Sequence, residues 1–354
     1  MTTHAPRNVA SRFSLDQNGT WTNTSEKPMD IEVPGTFQKL STGSERPHGT
    51  RLLSQRSYQP PPMSASAPAA SPTQRSIADL QRIATQVRRD IVRQVHGVQS
   101  GHPGGSLGCA DMLTALYFSI MRHDPARWTM DGAGQDLFFL SNGHISPVWY
   151  SVLARSGYFP VQELATFRRL DSRLQGHPTT HEGLPGVRMA SGSLGQGLSV
   201  AIGAALAKKM NGDDTLVYTL HGDGELQEGQ IWEAAMFAAA KKVDNLISAV
   251  DYNGRQIDGD VDAVLPLGDL RAKWEAFGWE VLTTNGNDMQ ALLDTYAEAQ
   301  ALTGKGKPVM VLMRTEMGQG VDFMMNSHAW HGIAPNDEQL AKALSQLEET
   351  LGDY

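Results

Sequence analysis

His221-Gly222-Asp223-Gly224-Glu225-Leu226-Gln227-Glu228 lies between an apolar run, Leu216-Val217-Tyr218-Thr219-Leu220, and an Ala-rich helical pattern from Gln230 to Lys242. The run reads as a buried strand and the 3.6-residue pattern behind it as a helix. Asn253 stands just past a second run of the same kind, Leu246-Ile247-Ser248-Ala249-Val250. A Gly-Asp-Gly turn closing one strand, with an Asn closing the next, can hold a divalent metal against a diphosphate. Asp223 offers a carboxylate oxygen and Asn253 an amide oxygen, hard donors suited to Mg²⁺, with Ca²⁺ or Mn²⁺ as substitutes. The glycines let the backbone approach phosphate oxygens closely. Gly-Asp-Gly alone is also an ordinary turn. The strand, the helix and Asn253 supply the context a metal motif requires.

Outward from this stretch the chain alternates. Ser76 and Asp79 make a capping-box-like start, and Leu80, Ile83, Val87, Ile91 and Val95 follow at helical spacing. Pro103, Gly104 and Gly105 are expected to break that helix. Further helical patterns run over 109–121, 146–156, 196–210, 229–242, 267–277, 288–302 and 336–350. Apolar runs at 137–140, 216–220, 246–250, 280–283 and 308–313 lie between several of them. Strands alternating with helices predict an α/β domain, a mainly parallel sheet flanked by helices on both faces. Ligands of such sheets sit beyond the carboxyl ends of the strands, where Asp223 and Asn253 fall. No internal repeat is visible.

Residues 1–75 show no sustained period. Tyr58-Gln-Pro-Pro-Pro-Met-Ser-Ala-Ser-Ala-Pro-Ala-Ala-Ser-Pro72 has too little to bury, so the segment is expected to be a disordered, low-complexity tail ahead of a domain over 76–354. Arg7 and Arg12 hint at a transit peptide, but Asp16, Glu26, Asp30 and Glu32 dilute the hint. The polar start has no apolar core of a signal peptide, and no apolar run approaches the ~18 residues of a membrane span.

At 354 residues and 40% apolar, the chain can bury one large core or two modest ones. Its single cysteine, Cys109, excludes a disulfide framework and fits a reducing, cytoplasmic setting. The tail carries a net charge of +3. The remainder has 22 basic against 33 acidic residues, a net of −11. So acidic a domain is a poor nucleic-acid binder, and an anionic ligand needs a local set of cations, metal or backbone amides.

Four histidines adjoin glycine or proline: His102 in Ser100-Gly-His-Pro-Gly-Gly105, His144 in Leu140-Ser-Asn-Gly-His144, His177 in Gln175-Gly-His-Pro178, and His331 in Trp330-His-Gly332. Glycine neighbours leave an imidazole accessible, and an imidazole titrating near neutrality can bind phosphates and hydroxyls and pass protons. A satisfied core or surface role is the plain alternative for each taken singly. No His/Cys pair has zinc-ligand spacing. Ser191-Gly-Ser-Leu-Gly-Gln-Gly197 opens an apolar helix. It is Gly-x-x-Gly-x-Gly rather than the dinucleotide Gly-x-Gly-x-x-Gly, so helix packing and ligand approach to a helix N-terminus both remain open. Glu228 begins a helix, where the dipole favours a carboxylate whatever its function. Lys305-Gly-Lys307 reads as a solvated turn.

In order, Ser-Gly-His-Pro-Gly-Gly-Ser-Leu-Gly108, Leu-Ser-Asn-Gly-His144, Gln-Gly-His-Pro178, Leu-Pro-Gly186, Gly-Ser-Leu-Gly-Gln-Gly197, Gly-Asp-Gly224 through Gln-Glu-Gly229, Asp-Tyr-Asn253, Ile-Asp-Gly259 and Trp-His-Gly-Ile-Ala-Pro-Asn336 resemble the thiamine-diphosphate domain of transketolase from about Ser76 onward. Length and ending look most like the N-terminal subunit of a split transketolase. The resemblance implies a thiamine-diphosphate-binding fold and a Mg²⁺ site made by Asp223, Asn253 and the main-chain carbonyl of Arg255. Family members commonly carry an aliphatic residue at that last position, so Arg255 is a departure. Gly222 and Gly224 would flank the metal turn. Gly192, Leu194 and Gly195 would lie against the aminopyrimidine and diphosphate. His102, His144, His177 and His331 would contact cofactor diphosphate or substrate hydroxyls and assist proton transfer. Glu228 would link cofactor sites across a dimer.

The implied activity is transfer of a two-carbon ketol unit from a ketose phosphate to an aldose phosphate, as in the pentose phosphate pathway, with most of the chemistry residing in the cofactor. A second, pyrimidine-binding domain would activate the ring and hold the sugar-phosphate end. The chain stops about where that domain would begin. A C-terminal subunit carrying it is therefore the expected partner, in a hetero-oligomer such as a dimer of heterodimers, with no nucleic acid or membrane involved. Half of a deoxyxylulose-phosphate synthase or of a dehydrogenase E1 component, or a non-catalytic cofactor-binding subunit, are the alternatives.

Overall fold

The computed structural model describes residues 75–354, together with two short strands ahead of them, β1 (Phe13–Leu15) and β2 (Trp21–Asn23), which pair antiparallel. The disorder expected of the tail otherwise falls outside the described residues. From Arg75 on, the elements are α1 (Ile77–Val98), α2 (Pro103–Gly108), α3 (Ala110–Ala115), β3 (Leu137–Leu140), α4 (Ser146–Arg155), α5 (Gln196–Met210), β4 (Val217–Gly222), α6 (Gly229–Ala240) and β5 (Leu246–Tyr252). A small hairpin, β6 (Arg255–Gln256) with β7 (Gly259–Asp260), leads to α7 (Val261–Val264), α8 (Leu270–Ala276), β8 (Glu280–Asn285), α9 (Met289–Leu302), β9 (Val309–Arg314) and α10 (Asp337–Gln346).

Five strands form one sheet in the order β3-β4-β5-β9-β8, and every neighbouring pair is parallel. Period two divides the core between the two faces. Phe138, Leu140, Tyr218, Leu220, Ile247, Ala249, Val309 and Val311 pack into a cluster shared with α1, α3, α4 and α9. Leu137, Phe139, Val217, Leu246, Val250, Met310 and Leu312 face the other way, into a cluster shared with α5, α6 and α8. Strands covered on both sides have no solvent face. That is why these segments read as unbroken apolar runs.

Helix α1 begins as its sequence indicates. The Ser76 side chain accepts the Asp79 N–H at 3.1 Å, and the stripe Leu80, Ile83, Val87, Ile91 and Val95 is buried. Each such side chain stabilises the fold by roughly 1.5–3 kcal/mol. The helix ends at Val98 with Gln99 in the left-handed region, φ 51°. The break expected at Pro103-Gly-Gly is present, and Pro103 opens the next helix, at a position where its missing N–H costs nothing. The flank of α1 is tied by buried ion pairs, Arg88 to Asp111 at 2.5 Å and Arg155 to Asp90 at 2.6 Å. No described helix is long and apolar enough to cross a membrane.

Candidate functional site

The carboxyl ends of β3, β4, β5 and β9 point to one cleft of about 340 Å³. Asn142 and His144 follow β3, Asp223 and Gly224 follow β4, and Asn253 follows β5. The segments before α2 and α10 add His102 and His331, and the loops ahead of α5 add His177, Gly192 and Leu194. Of the thirteen residues singled out from sequence, all but Gly195 line this cleft. Gly195 sits just behind it, at the N-cap of α5 with φ 88°.

The four histidines form a cluster. The His102 ring lies 5.1 Å from His144, 5.5 Å from His331 and 6.3 Å from His177, and His144 lies 5.1 Å from His331. Burial holds all four neutral, and repulsion from neighbouring rings adds to it at His102 and His144. His102 is pushed down to about 4, chiefly by burial and then by His331, Arg168 and His177. His144 falls well below the usual range for the same leading reason, and His177 and His331 are lowered by burial as well. A neutral imidazole offers one donor and one acceptor, so the cluster can grip a hydroxyl or phosphate from several sides.

Asp223 is buried, with burial first and the neighbouring Asp251 second raising its pKa to about 7. Its Oδ1 accepts the Gly224 N–H at 2.8 Å and its Oδ2 the Gly254 N–H at 2.6 Å. Asn253 turns its Oδ1 toward the Arg255 N–H, at 2.8 Å. The Arg255 guanidinium pairs with Asp260 across the β6–β7 hairpin, so its charge is matched there. Among the described residues no three His, Cys, Asp or Glu side chains group as a metal site would require. The donors singled out are the Asp223 carboxylate, the Asn253 amide oxygen and main-chain carbonyls, a weakly charged set of hard oxygens, with the Asp251, Glu225 and Glu228 carboxylates elsewhere on the cleft wall. Such a set suits Mg²⁺ when a phosphate completes it.

Polar atoms left without partners around the cleft indicate what it fits. Nδ1 of His102, Nδ1 of His331, both amide atoms of Asn142 and Oε1 of Gln256 are buried and unpaired. Buried polar atoms are almost always satisfied, so a wall of this kind is built for a polar ligand. Glycine geometry agrees. A Cβ on Gly192, at φ 129°, would stand 2.9 Å from the His177 ring, and one on Gly195 would stand 2.8 Å from Gln230. The backbone of this loop therefore sits as close to its neighbours as a chain without side chains permits. Glu228 lies exposed at the rim, where its side chain has no hydrogen-bond or ionic partner among the described residues.

Sequence reading missed three residues that organise the site. Glu225 is buried, and its carboxylate accepts from Ser141 Oγ, from the Gly195 N–H at 2.7 Å and from the Gly222 N–H at 3.1 Å. Burial works to raise its pKa, but His221 and these donors outweigh burial and leave it below the usual range. Asp251, buried at the base of the cleft, accepts from Thr315 Oγ1 and from Asn253 Nδ2. Asn142 is the third. All three lie inside motifs visible in the sequence. Glu225 and Asp251 also take partners distant in sequence, Ser141, Gly195 and Thr315, and Asn142 has none, so no local pattern marks them.

Residues 80–350 match the family model for transketolase, thiamine diphosphate binding domain. The chain is 40% identical to the 6-deoxy-6-sulfo-D-fructose transketolase subunit SqwG of Clostridium sp. (strain MSTE9), over 77% of this chain and 97% of that protein. It is 38% identical to an apulose-4-phosphate transketolase subunit from Actinobacillus succinogenes, over 79% of this chain and 99% of the relative. Among solved structures, transketolase from Campylobacter jejuni superimposes with a TM-score of 0.72 at 35% identity, over 77% of this chain. The chain spans 43% of that transketolase's length.

Proposed function

The chain belongs to the transketolase family, to its thiamine-diphosphate-binding part, and from that premise we propose that it is the diphosphate-binding subunit of a two-polypeptide transketolase. The reaction is transfer of a two-carbon ketol unit from a ketose phosphate to an aldose phosphate, with Mg²⁺ and thiamine diphosphate. The observation that carries this reading is the convergence of four neutral histidines and the Asp223–Asn253 pair on one cleft with unpaired polar walls.

When bound, the cofactor's thiazolium supplies the carbon nucleophile and the electron sink that no amino-acid side chain provides. This chain's residues have other tasks. Asp223, Asn253 and the Arg255 carbonyl would hold the metal, and the Gly192–Gly195 loop would pack against the cofactor. His102, His144, His177 and His331, neutral at physiological pH, would hydrogen-bond phosphate and sugar hydroxyls and pass protons between them. Depth helps, because His102, His144 and His331 are largely withdrawn from water, which strengthens every polar contact they make.

A second polypeptide is proposed because no described carboxylate other than those already committed faces the cleft, apart from Glu228 at its rim, and the ring-activating group must come from somewhere. Relatives of matching length are named as subunits, in keeping with this. Their names also show that relatives of this size act on different ketoses, so the sugar is left to experiment.

The test is reconstitution. The purified chain should give negligible transfer from xylulose 5-phosphate to ribose 5-phosphate, and a second polypeptide carrying the pyrimidine-binding domain should restore it. Full activity of the isolated chain overturns the two-polypeptide reading. Condensation of pyruvate with glyceraldehyde 3-phosphate in place of ketol transfer reassigns the reaction to a deoxyxylulose-phosphate synthase.

A further inference from the structure

Asn142 occupies a position that the fold itself leaves unsatisfied. It is buried, 1% exposed, and lines the cleft, yet neither its Oδ1 nor its Nδ2 has a hydrogen-bond partner. Leaving both ends of an amide unpaired away from water costs the folded chain free energy. A residue kept at such a cost calls for a ligand that completes it.

The backbone holds the amide rigidly. Asn142 has φ −76° and ψ 64°, and the Gly143 N–H donates to the Ser141 carbonyl at 2.8 Å, the geometry of an inverse γ-turn at the end of β3. Gly143 is wedged against the loop before α5, since a Cβ there would stand 2.4 Å from Ser191 Oγ and 2.8 Å from the Gly192 nitrogen. The Asn142 amide lies beside Gly222, with its Nδ2 3.9 Å from where a Gly222 Cβ would be. Gly222 immediately precedes Asp223. The amide therefore faces the place where the proposed site gathers metal and phosphate oxygens.

We propose that Asn142 is a binding residue for the diphosphate of the cofactor, its Nδ2–H donating to an anionic phosphate oxygen. This rests on the cofactor reading given above and adds a residue to it. An amide suits the position for an electrostatic reason. Asp223 and Asp251 are close by, so a second anion would repel the phosphate, whereas a neutral donor contributes a hydrogen bond and no repulsion.

Because the amide is unpaired without ligand, removing it should act in opposite directions on stability and affinity. In the full-length chain, with and without the partner polypeptide, Asn142→Ala should leave the ligand-free melting temperature unchanged or raised. Its calorimetric affinity for thiamine diphosphate with Mg²⁺ should fall roughly ten- to hundred-fold, the range of one hydrogen bond to a charged group. Inorganic diphosphate with Mg²⁺ should show the same loss, which places the contact on the phosphates. Asn142→Asp should weaken both ligands further. Wild-type affinity in Asn142→Ala, with wild-type chain binding normally, overturns this proposal and leaves the cofactor reading standing. A fall in ligand-free melting temperature that parallels the loss of affinity also overturns it, in favour of a structural role. Failure of the wild-type chain and complex to bind thiamine diphosphate at all sinks the cofactor reading and this proposal together.

Discussion

Asn253 is oriented by Asp251: its Nδ2 donates to Asp251 Oδ2 at 2.9 Å, which turns Oδ1 to the opposite side. The same carboxylate is held from behind by Thr315 Oγ1. A free asparagine amide presents nitrogen or oxygen with similar ease, and a metal accepts only the oxygen. Asp251, together with the Arg255 N–H that Oδ1 accepts at 2.8 Å, thus fixes which way the Asn253 amide faces.

Replacing Asp251 should therefore weaken the metal site without removing a ligand. Residues that orient metal ligands typically cost ten- to a hundred-fold in affinity when changed. Asp251→Ala is expected to weaken Mg²⁺ binding, measured by titration in the presence of thiamine diphosphate, by ~10-fold or more. Unchanged Mg²⁺ affinity would mean that Asn253 is oriented by something else.

On the proposed metal site, Asp223 would tie Mg²⁺ binding to pH. Its pKa in the folded chain is raised to about 7 by burial and then by Asp251, against about 3.9 unfolded. The folded state holds a proton that the unfolded state has lost, so ligand-free stability falls as pH rises from about 4 to 7 and is level above that. Mg²⁺ must displace the same proton, so its affinity should rise through this window and plateau above pH 7. Asp223→Asn is expected to raise the ligand-free melting temperature at pH 8 and to abolish Mg²⁺-dependent cofactor binding. Retention of that binding by calorimetry would remove Asp223 from the metal site.

The histidine cluster predicts the opposite slope over nearly the same pH window. Unfolded histidine takes up a proton near 6.5, while folded His102 resists until about 4, chiefly through burial. The other three are shifted in the same direction. Stability conferred by neutral rings is thus complete above pH 6.5 and lost as pH falls toward 4. Thermal denaturation of His102→Gln should show a shallower decline between pH 6.5 and 4 than wild type. Parallel curves would show that His102 is not the strained member of the cluster.

What could be read from sequence follows from where the partners lie. The runs 137–140 and 246–250 were legible because parallel strands covered on both faces must be apolar throughout, and the structure extends the second only to Tyr252. Asp223, Asn253 and the four histidines were legible because a parallel sheet sends its strand ends to one side, beside glycines that give ligands access. Helix α2 was not. Pro103-Gly-Gly has poor helical propensity, and it is helical because tertiary packing overrides propensity. A Cβ on Gly104 would meet Met317 at 2.7 Å and the Trp330 carbonyl at 2.8 Å, and one on Gly108 the Glu316 carbonyl at 2.9 Å. Glu225 was missed for a related reason: its partners Ser141 and Gly195 are 84 and 30 positions away.

Glu225 is the residue whose loss should be felt both in stability and in the shape of the cleft. Its carboxylate joins the end of β3 through Ser141, the N-cap of α5 through Gly195, and the end of β4 through Gly222. Ser141 Oγ in turn accepts the Gly197 N–H at 3.1 Å, so two amides at the start of α5 depend on one carboxylate. Glu225→Ala leaves these donors buried and unpaired, which should destabilise the chain by about 3–5 kcal/mol at neutral pH. Because His221 and the hydrogen bonds outweigh burial, the folded pKa is depressed, and the contribution of Glu225 is present above about 4.5 and fades as pH drops through the folded value. Urea unfolding at pH 7 should therefore separate wild type from Glu225→Ala widely, and at pH 3 the gap should narrow. Hydrogen exchange at the Gly195 and Gly222 amides should also accelerate in the variant under native conditions, since local opening no longer breaks these bonds. If exchange at both amides were unchanged, the three segments would be held in register by packing alone.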